Sequence, residues 1–506
     1  QTFTGSSSYA AFASTESTRS PQVYVTANDG MLHAFNAATG AETYAYLPGA
    51  VITSGLSTLS NPSYGASSTA PHQFFNDGEV TTADIYVSSG SGSWHTILVG
   101  TTGRGAAKAI YALDITDPTS VQFLWERSAS DGKTNAAYIG QMTGKPVIAQ
   151  TADKQWQVLM GNGYNSTNGT AALLQFALTT SAGALDTAGT LSVVTTNTST
   201  SNGLAAPAVW IGNPANGIST TAYAGDLLGN VWSFDLANNS SSLLFTAKDS
   251  GGKVQPITAG MLAGKDPATN NVWLFFGTGE YLNAADLTDM STQTWYGIIA
   301  QAGAGQPASL VTNLSNGRSA LVQRKILAEV AATAGNATAT PPVLPTLGAR
   351  GFTPKPTPSD MTGESGWYID LTSPVNGAEG ERMVTPNQFQ GSLLIGTSRI
   401  PQASDVCNPT GRGWIMAIDP FTGTNPTSKF FDINGDGKFD SADMITLPDG
   451  TSVPVGGVGF NSLPNNPIFV GNTMLVSFDN GSTSSVSTAG SVGSMNRVSW
   501  RELINQ

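Results

Sequence analysis

A hairpin-like pattern recurs along this chain, and it restricts the fold more than any other feature. Each copy is an apolar, β-rich run, a Gly-rich turn, and a second run that ends in an aromatic residue and an Asp. The clearest copy is VYVTANDGMLHAFNAATGAE (23–42), followed by ILVGTTGRGAAKAIYALDITDP (97–118), WQVLMGNGYNSTNGTAALLQFAL (156–178) and YAGDLLGNVWSFDL (223–236). Residues 272–299 and 393–423 repeat it, and 473–503 read as a degenerate seventh copy. A single hairpin cannot bury its own faces, so like units at intervals imply stacking. A closed ring also protects strand edges. The expected fold class is therefore all-β, a modified β-propeller of seven blades rather than six or eight. Seven copies leave roughly 70 residues each, above the about 40–45 of a WD-type blade. The surplus is expected in long inserted loops, at 301–362 and 424–470. A set of β-sandwiches is the competing architecture; the shared Gly–aromatic–Asp signature argues against it.

Outside the repeats, residues 1–20 are rich in Ser, Thr and Ala and are expected to be a linker or peripheral strand. Residues 21–506 are expected to be one β-propeller domain. Within it, 317–335 suggests a short helix, because Leu321, Ile326, Leu327 and Val330 share roughly one helical face. The prolines of 340–358 suggest an extended loop.

Only 11% of residues are charged, while Gly numbers 57 of 506. That balance disfavours long helices and supplies the positive φ angles of tight turns. The net charge of −12 argues against nucleic acid as a partner, which would require clustered Lys and Arg. No apolar run approaches the roughly 18 residues of a membrane span. The single cysteine, Cys407, excludes an internal disulfide and is read as either a buried free thiol or the partner of a residue elsewhere. Three histidines, His33, His72 and His95, are too scattered to suggest zinc. The opening at Gln1, with neither Met nor a signal-peptide pattern, reads as a mature fragment whose export route the sequence does not show directly.

One motif carries chemistry. Residues 430–447, FFDINGDGKFDSADMITL, contain D-x-N-x-D-G-x-x-D-x-x-D. Calcium takes six to eight oxygens at about 2.3–2.6 Å. In a twelve-residue loop, Asp432, Asn434 and Asp436 supply side-chain oxygens, and Gly437 permits the sharp turn. Lys438 offers its carbonyl, Asp440 binds directly or through water, and Asp443 closes the site. Phe439 and Met444 are expected to anchor the loop on the core. Pro426 and poor helical periodicity in the preceding segment exclude an EF-hand's entering helix. A strand before the loop and a short helical turn after it are expected instead.

The order NDGMLHAFNAATGAE, GRGAAKAIYALDITDP, GNGYNS, YAGDLLGNVWSFDL, FGTGEYL, GWYIDL with GERMV, and RVSWREL resembles the PilY-type pilus assembly proteins, the tip-associated adhesins of type IV pili. The resemblance spans nearly the whole chain. It implies a modified seven-bladed propeller, without enzymatic activity, that caps an extracellular pilus and promotes its assembly. It also implies Ca2+ on Asp432, Asn434, Asp436, the Lys438 carbonyl and Asp440, with occupancy favouring extension over retraction. The implied partners are minor pilins or other tip components and the family's N-terminal region, with host or surface ligands beyond them. The alternatives are a stand-alone adhesin or lectin-like propeller with structural calcium, and a quinoprotein dehydrogenase-like propeller. One cysteine excludes the vicinal disulfide common in the latter. A Ser-His-Asp triad is not expected, since no histidine lies near a nucleophile elbow. Asp29, Asp114, Asp226, Asp235 and Asp419 read as turn or strand-end residues that bond local amides.

Overall fold

A computed structural model of the chain describes residues 4–66, 69–196, 201–333, 346–402 and 410–489. The contacts of these residues divide them into two units, one running up to 227 with 232–243, the other 228–231 with 244–489. Among the described residues no helix is long and apolar enough to cross a membrane.

Each repeat copy supplies two adjacent antiparallel strands of a different sheet. In the first unit these are Gln22–Thr26 with Leu32–Asn36, Ser93–Thr101 with Ala109–Asp114, and Gln155–Gly161 with Ala172–Ala177. The fourth sheet, built on Ile218–Gly225 and Asn230–Asp235, also belongs there but for a few residues. The second unit carries Val272–Gly277 with Thr294–Gln301, Leu393–Gln402 with Thr410–Ile418, and Thr473–Ser477 with Thr483–Ser487. Seven blade sheets thus correspond to seven copies, the last copy only as far as residue 489. In every sheet except the first, another strand precedes the copy and pairs with it.

The copies lie at sheet centres because their apolar runs can be buried on both faces. Ala109–Asp114 is buried at every position, as is Val272–Gly277. The second unit's cores are aromatic. Trp273, Phe275, Trp295 and Trp367 form one cluster, and Phe430, Phe431, Ile433 and Ile445 lie in another. Of the five aspartates read as local turn formers, four bond amides two residues ahead: Asp29 to Met31, Asp114 to Thr116, Asp235 to Ala237 and Asp419 to Phe421. Asp226 accepts from the side chains of Asn202 and Trp232.

Three local expectations are corrected. Ser6–Glu16 is an α-helix, where a linker or strand was expected. Its Tyr9 and Phe12 lie three apart and meet Trp94, with Tyr9 Oη donating to Asp84 at 2.8 Å. Tertiary contact therefore organises a segment whose composition says little. The helix expected over 317–335 is instead a 3-10 turn, Asn313–Ala320, followed by strands Val322–Arg324 and Ile326–Val330. Pairing of Ile326–Val330 with Gly348–Phe352 outweighs the weak helical periodicity. Gly348–Phe352 also shows that part of the expected 340–358 loop is strand; residues 340–345 lie outside the described residues, as does Cys407.

Candidate metal centre

The loop 432–443 is an insertion within the sixth sheet. The chain leaves strand Thr410–Ile418, traverses the loop and the small ribbon Met444–Thr446/Ser452–Pro454, then returns as Gly457–Phe460 beside the strand it left. Three backbone bonds root it: Asp432 N–H to Ser487 O (3.0 Å), Leu347 N–H to Ile433 O (3.0 Å), and Val455 N–H to Asp443 O (3.0 Å). No regular strand precedes the loop. Phe431 makes only an isolated bridge to Thr488, because the backbone here is held by apolar packing rather than a ladder. The short helical turn after it, Ser441–Asp443, is present. Ile433 and Ile445 are the buried anchors, while Phe439 and Met444 are only half-buried.

Two carboxylates organise the loop from inside. Asp432 is 2% exposed; its Oδ1 accepts from Gly435 N–H (2.7 Å) and Asp436 N–H (3.2 Å), and its Oδ2 from Gly437 N–H (2.8 Å). Asp443 is 1% exposed, accepting from Ile433 N–H at 2.9 Å and Asp440 N–H at 3.0 Å. Gly435 and Gly437 adopt φ of 69° and 77°, which lets successive amides turn toward Asp432.

The remaining predicted residues lie outward. Asp436, Lys438 and Asp440 are exposed and Asn434 is half-buried. Asp436 Oδ1 accepts from Lys438 N–H at 2.8 Å, and Asp440 Oδ1 caps the helical turn at Ala442 N–H, 2.9 Å. Among the described residues no three His, Cys, Asp or Glu side chains gather into a metal cage. The structure thus brings Asp432, Asp440 and Asp443 into one electrostatic neighbourhood without closing a coordination sphere. Burial raises the pKa of Asp443, and the charges of Asp432 and Asp440 add to that rise against two amide hydrogen bonds. A loop of oxygen donors in which like charges crowd a buried carboxylate has the chemistry that suits a hard divalent cation.

Residues 1–243 match the family model described as the PilY1 beta-propeller domain. A type IV pilus biogenesis factor PilY1 homolog of Xylella fastidiosa is 41% identical over 507 residues, covering 99% of this chain and 37% of that protein. PilY1 of Pseudomonas aeruginosa is 33% identical over 464 residues, covering 86% of this chain and 38% of the relative. The chain belongs to the PilY1 β-propeller family. The crystal structure of the Pseudomonas aeruginosa PilY1 C-terminal domain matches with a TM-score of 0.69 at 28% identity, covering 95% of each chain. The fold class is accordingly the modified seven-bladed β-propeller that the repeats implied. The chain spans under two-fifths of the length of these PilY1 relatives.

A second polar grouping in this PilY1-type chain was not expected from its sequence. Ser93 Oγ lies 2.9 Å from His95 Nε2, and His95 Nδ1 lies 2.6 Å from Asp114 Oδ2. The available signal was a Ser-x-His pair in a strand, which places both side chains on one face.

Proposed function

We propose that this chain is the calcium-responsive module of a type IV pilus biogenesis factor, acting outside the cell at the pilus tip in a role that is itself non-enzymatic. The reading rests on the relatives named as such factors, and on one feature of the loop. That feature is the Asp432 carboxylate, which gathers the amides of Gly435, Asp436 and Gly437 and so curls the backbone into a shape suited to a cation. Asp432, Asn434, Asp436, the Lys438 carbonyl, Asp440 and Asp443 would hold Ca2+. Bound there, the ion would neutralise the crowded carboxylates and order the exposed half of the loop. The ordered surface would then dock minor pilins or the remainder of the full-length protein, favouring extension over retraction.

Calorimetric titration of calcium into chelator-treated protein tests the first step. One site is expected in the parent chain and none in an Asp436→Ala, Asp440→Ala double variant whose circular dichroism is unchanged. Equal binding by both proteins would overturn the assignment. Placing the same double variant in the full-length protein, and counting surface pili and retraction events, tests the second step. Unaltered pili despite lost calcium binding would separate the metal from pilus control.

A further inference from the structure

Ser93, His95 and Asp114 form one continuous hydrogen-bonded line. Ser93 and His95 alternate onto the same face of strand Ser93–Thr101. Asp114 ends the neighbouring strand in register with Ile97, on that same face. The carboxylate is held in place from its far side: Oδ1 accepts from Thr116 N–H at 3.0 Å and Thr116 Oγ1 at 2.5 Å. Burial alone would raise the Asp114 pKa. The hydrogen bonds from His95 and Thr116 outweigh it and hold the group below the ordinary carboxylate range.

These contacts determine the histidine tautomer. An ionised carboxylate only accepts, so the proton of a neutral imidazole must sit on Nδ1, facing Asp114. Nε2 then presents its lone pair, and the Ser93 hydroxyl must be the donor across the 2.9 Å contact. The exposures follow the same sequence. Ser93 is open to solvent, while the side chains of His95 and Asp114 are 23% and 11% exposed. The loop entering Ser93 contains Gly90 and Gly92 at φ of 66° and 74°. The amides of Gly90 and Ser91 in this loop donate to no protein group among the described residues.

We infer that Ser93 is a nucleophile toward activated carboxylic esters, with His95 as its general base and Asp114 as the residue that positions His95. Ser93 Oγ bonds to the carbonyl carbon while its proton passes to His95 Nε2. The carbon–oxygen bond to the alcohol breaks, and the departing alkoxide takes that proton. A water molecule, deprotonated by the same nitrogen, then attacks the acyl-serine; the acid leaves and Ser93 recovers its proton. Because Ser93 is solvent-exposed, desolvation contributes little, so esters with good leaving groups are the fitting class rather than amides. This activity is independent of the pilus reading and of calcium.

Treating the intact chain with a fluorophosphonate probe, followed by peptide mapping, tests the nucleophile; p-nitrophenyl acetate hydrolysis tests turnover. An adduct on Ser93 is expected, absent in Ser93→Ala. His95→Gln should slow both reactions about a hundredfold. Asp114→Asn should slow them as well and displace the pH–rate profile, which a merely structural contact would not do. Circular dichroism checks that each variant is folded. No adduct on Ser93 in the parent protein, or equal rates for the parent and a folded His95→Gln variant, would overturn the inference.

Discussion

The Arg350 guanidinium meets Glu381 in a two-point ion pair, Nη1–Oε1 2.6 Å and Nη2–Oε2 2.8 Å, with Arg350 wholly enclosed and Glu381 only 2% exposed. Glu329 adds a second carboxylate at 2.8 Å, and the guanidinium carbon lies 4.0 Å from the centre of the Trp414 ring. Burial works against the arginine's charge, but Glu381 and Glu329 more than offset it and raise its pKa. Such a cluster is costly to open at its centre, because removing Arg350 strands the Glu381 carboxylate, which is almost wholly buried. Arg350→Ala should therefore destabilise the protein by about 3–5 kcal/mol. Urea unfolding followed by tryptophan fluorescence would show the loss, and a midpoint close to the parent's would contradict it.

The inner and outer carboxylates of the calcium loop should respond differently to mutation. Asp432→Ala leaves the Gly435 and Gly437 amides without their acceptor, at about 1–3 kcal/mol for each group kept from water, while Asp436 N–H keeps Asn434 Oδ1. Its effect should reach the folding of the sixth and seventh sheets and appear as a lowered melting temperature in calcium-free buffer. Asp436→Ala removes an exposed side chain and should leave that melting temperature nearly unchanged. Equal destabilisation by both substitutions would remove the distinction.

Gly437 should tolerate no ordinary side chain in its present backbone state. A Cβ there would meet no atom within 4 Å, so the cost lies in its φ of 77° rather than in a clash. Gly437→Ala should cost about 1–2 kcal/mol. In the calcium titration it should weaken binding without abolishing it. Unchanged affinity would mean that the turn does not position the donors.

His33 gives the first unit a pH dependence. Its Nδ1 lies 2.6 Å from Glu42 Oε1 and its Nε2 3.0 Å from Asp29 Oδ2, so both ring nitrogens face carboxylates. The hydrogen bond to Glu42 raises its pKa, partial burial opposes this, and Asp29 adds to the rise. A raised folded-state value means that the imidazolium's stabilisation is complete below about pH 6.5, the unfolded value, and is lost as pH rises through the folded value. The melting-temperature difference between the parent and His33→Gln should shrink across that range. An NMR titration placing His33 at or below the ordinary imidazole value would refute this.

What the sequence determined by itself was local. Strand alternation, turn glycines and a twelve-residue spacing of oxygen donors are short-range properties, so seven hairpin copies and the loop 432–443 could be read directly. Proximity across the chain was decided only by the tertiary structure. Ser6–Glu16 is held as a helix against Trp94, Ile326–Val330 becomes strand because Gly348–Phe352 pairs with it, and Asp114 reaches His95 from the next strand. Arg350 finds Glu381 across 31 positions of sequence. Each of these depends on which strands lie side by side, and the free energy that selects the pairing comes from burial shared among distant residues, which no local pattern records.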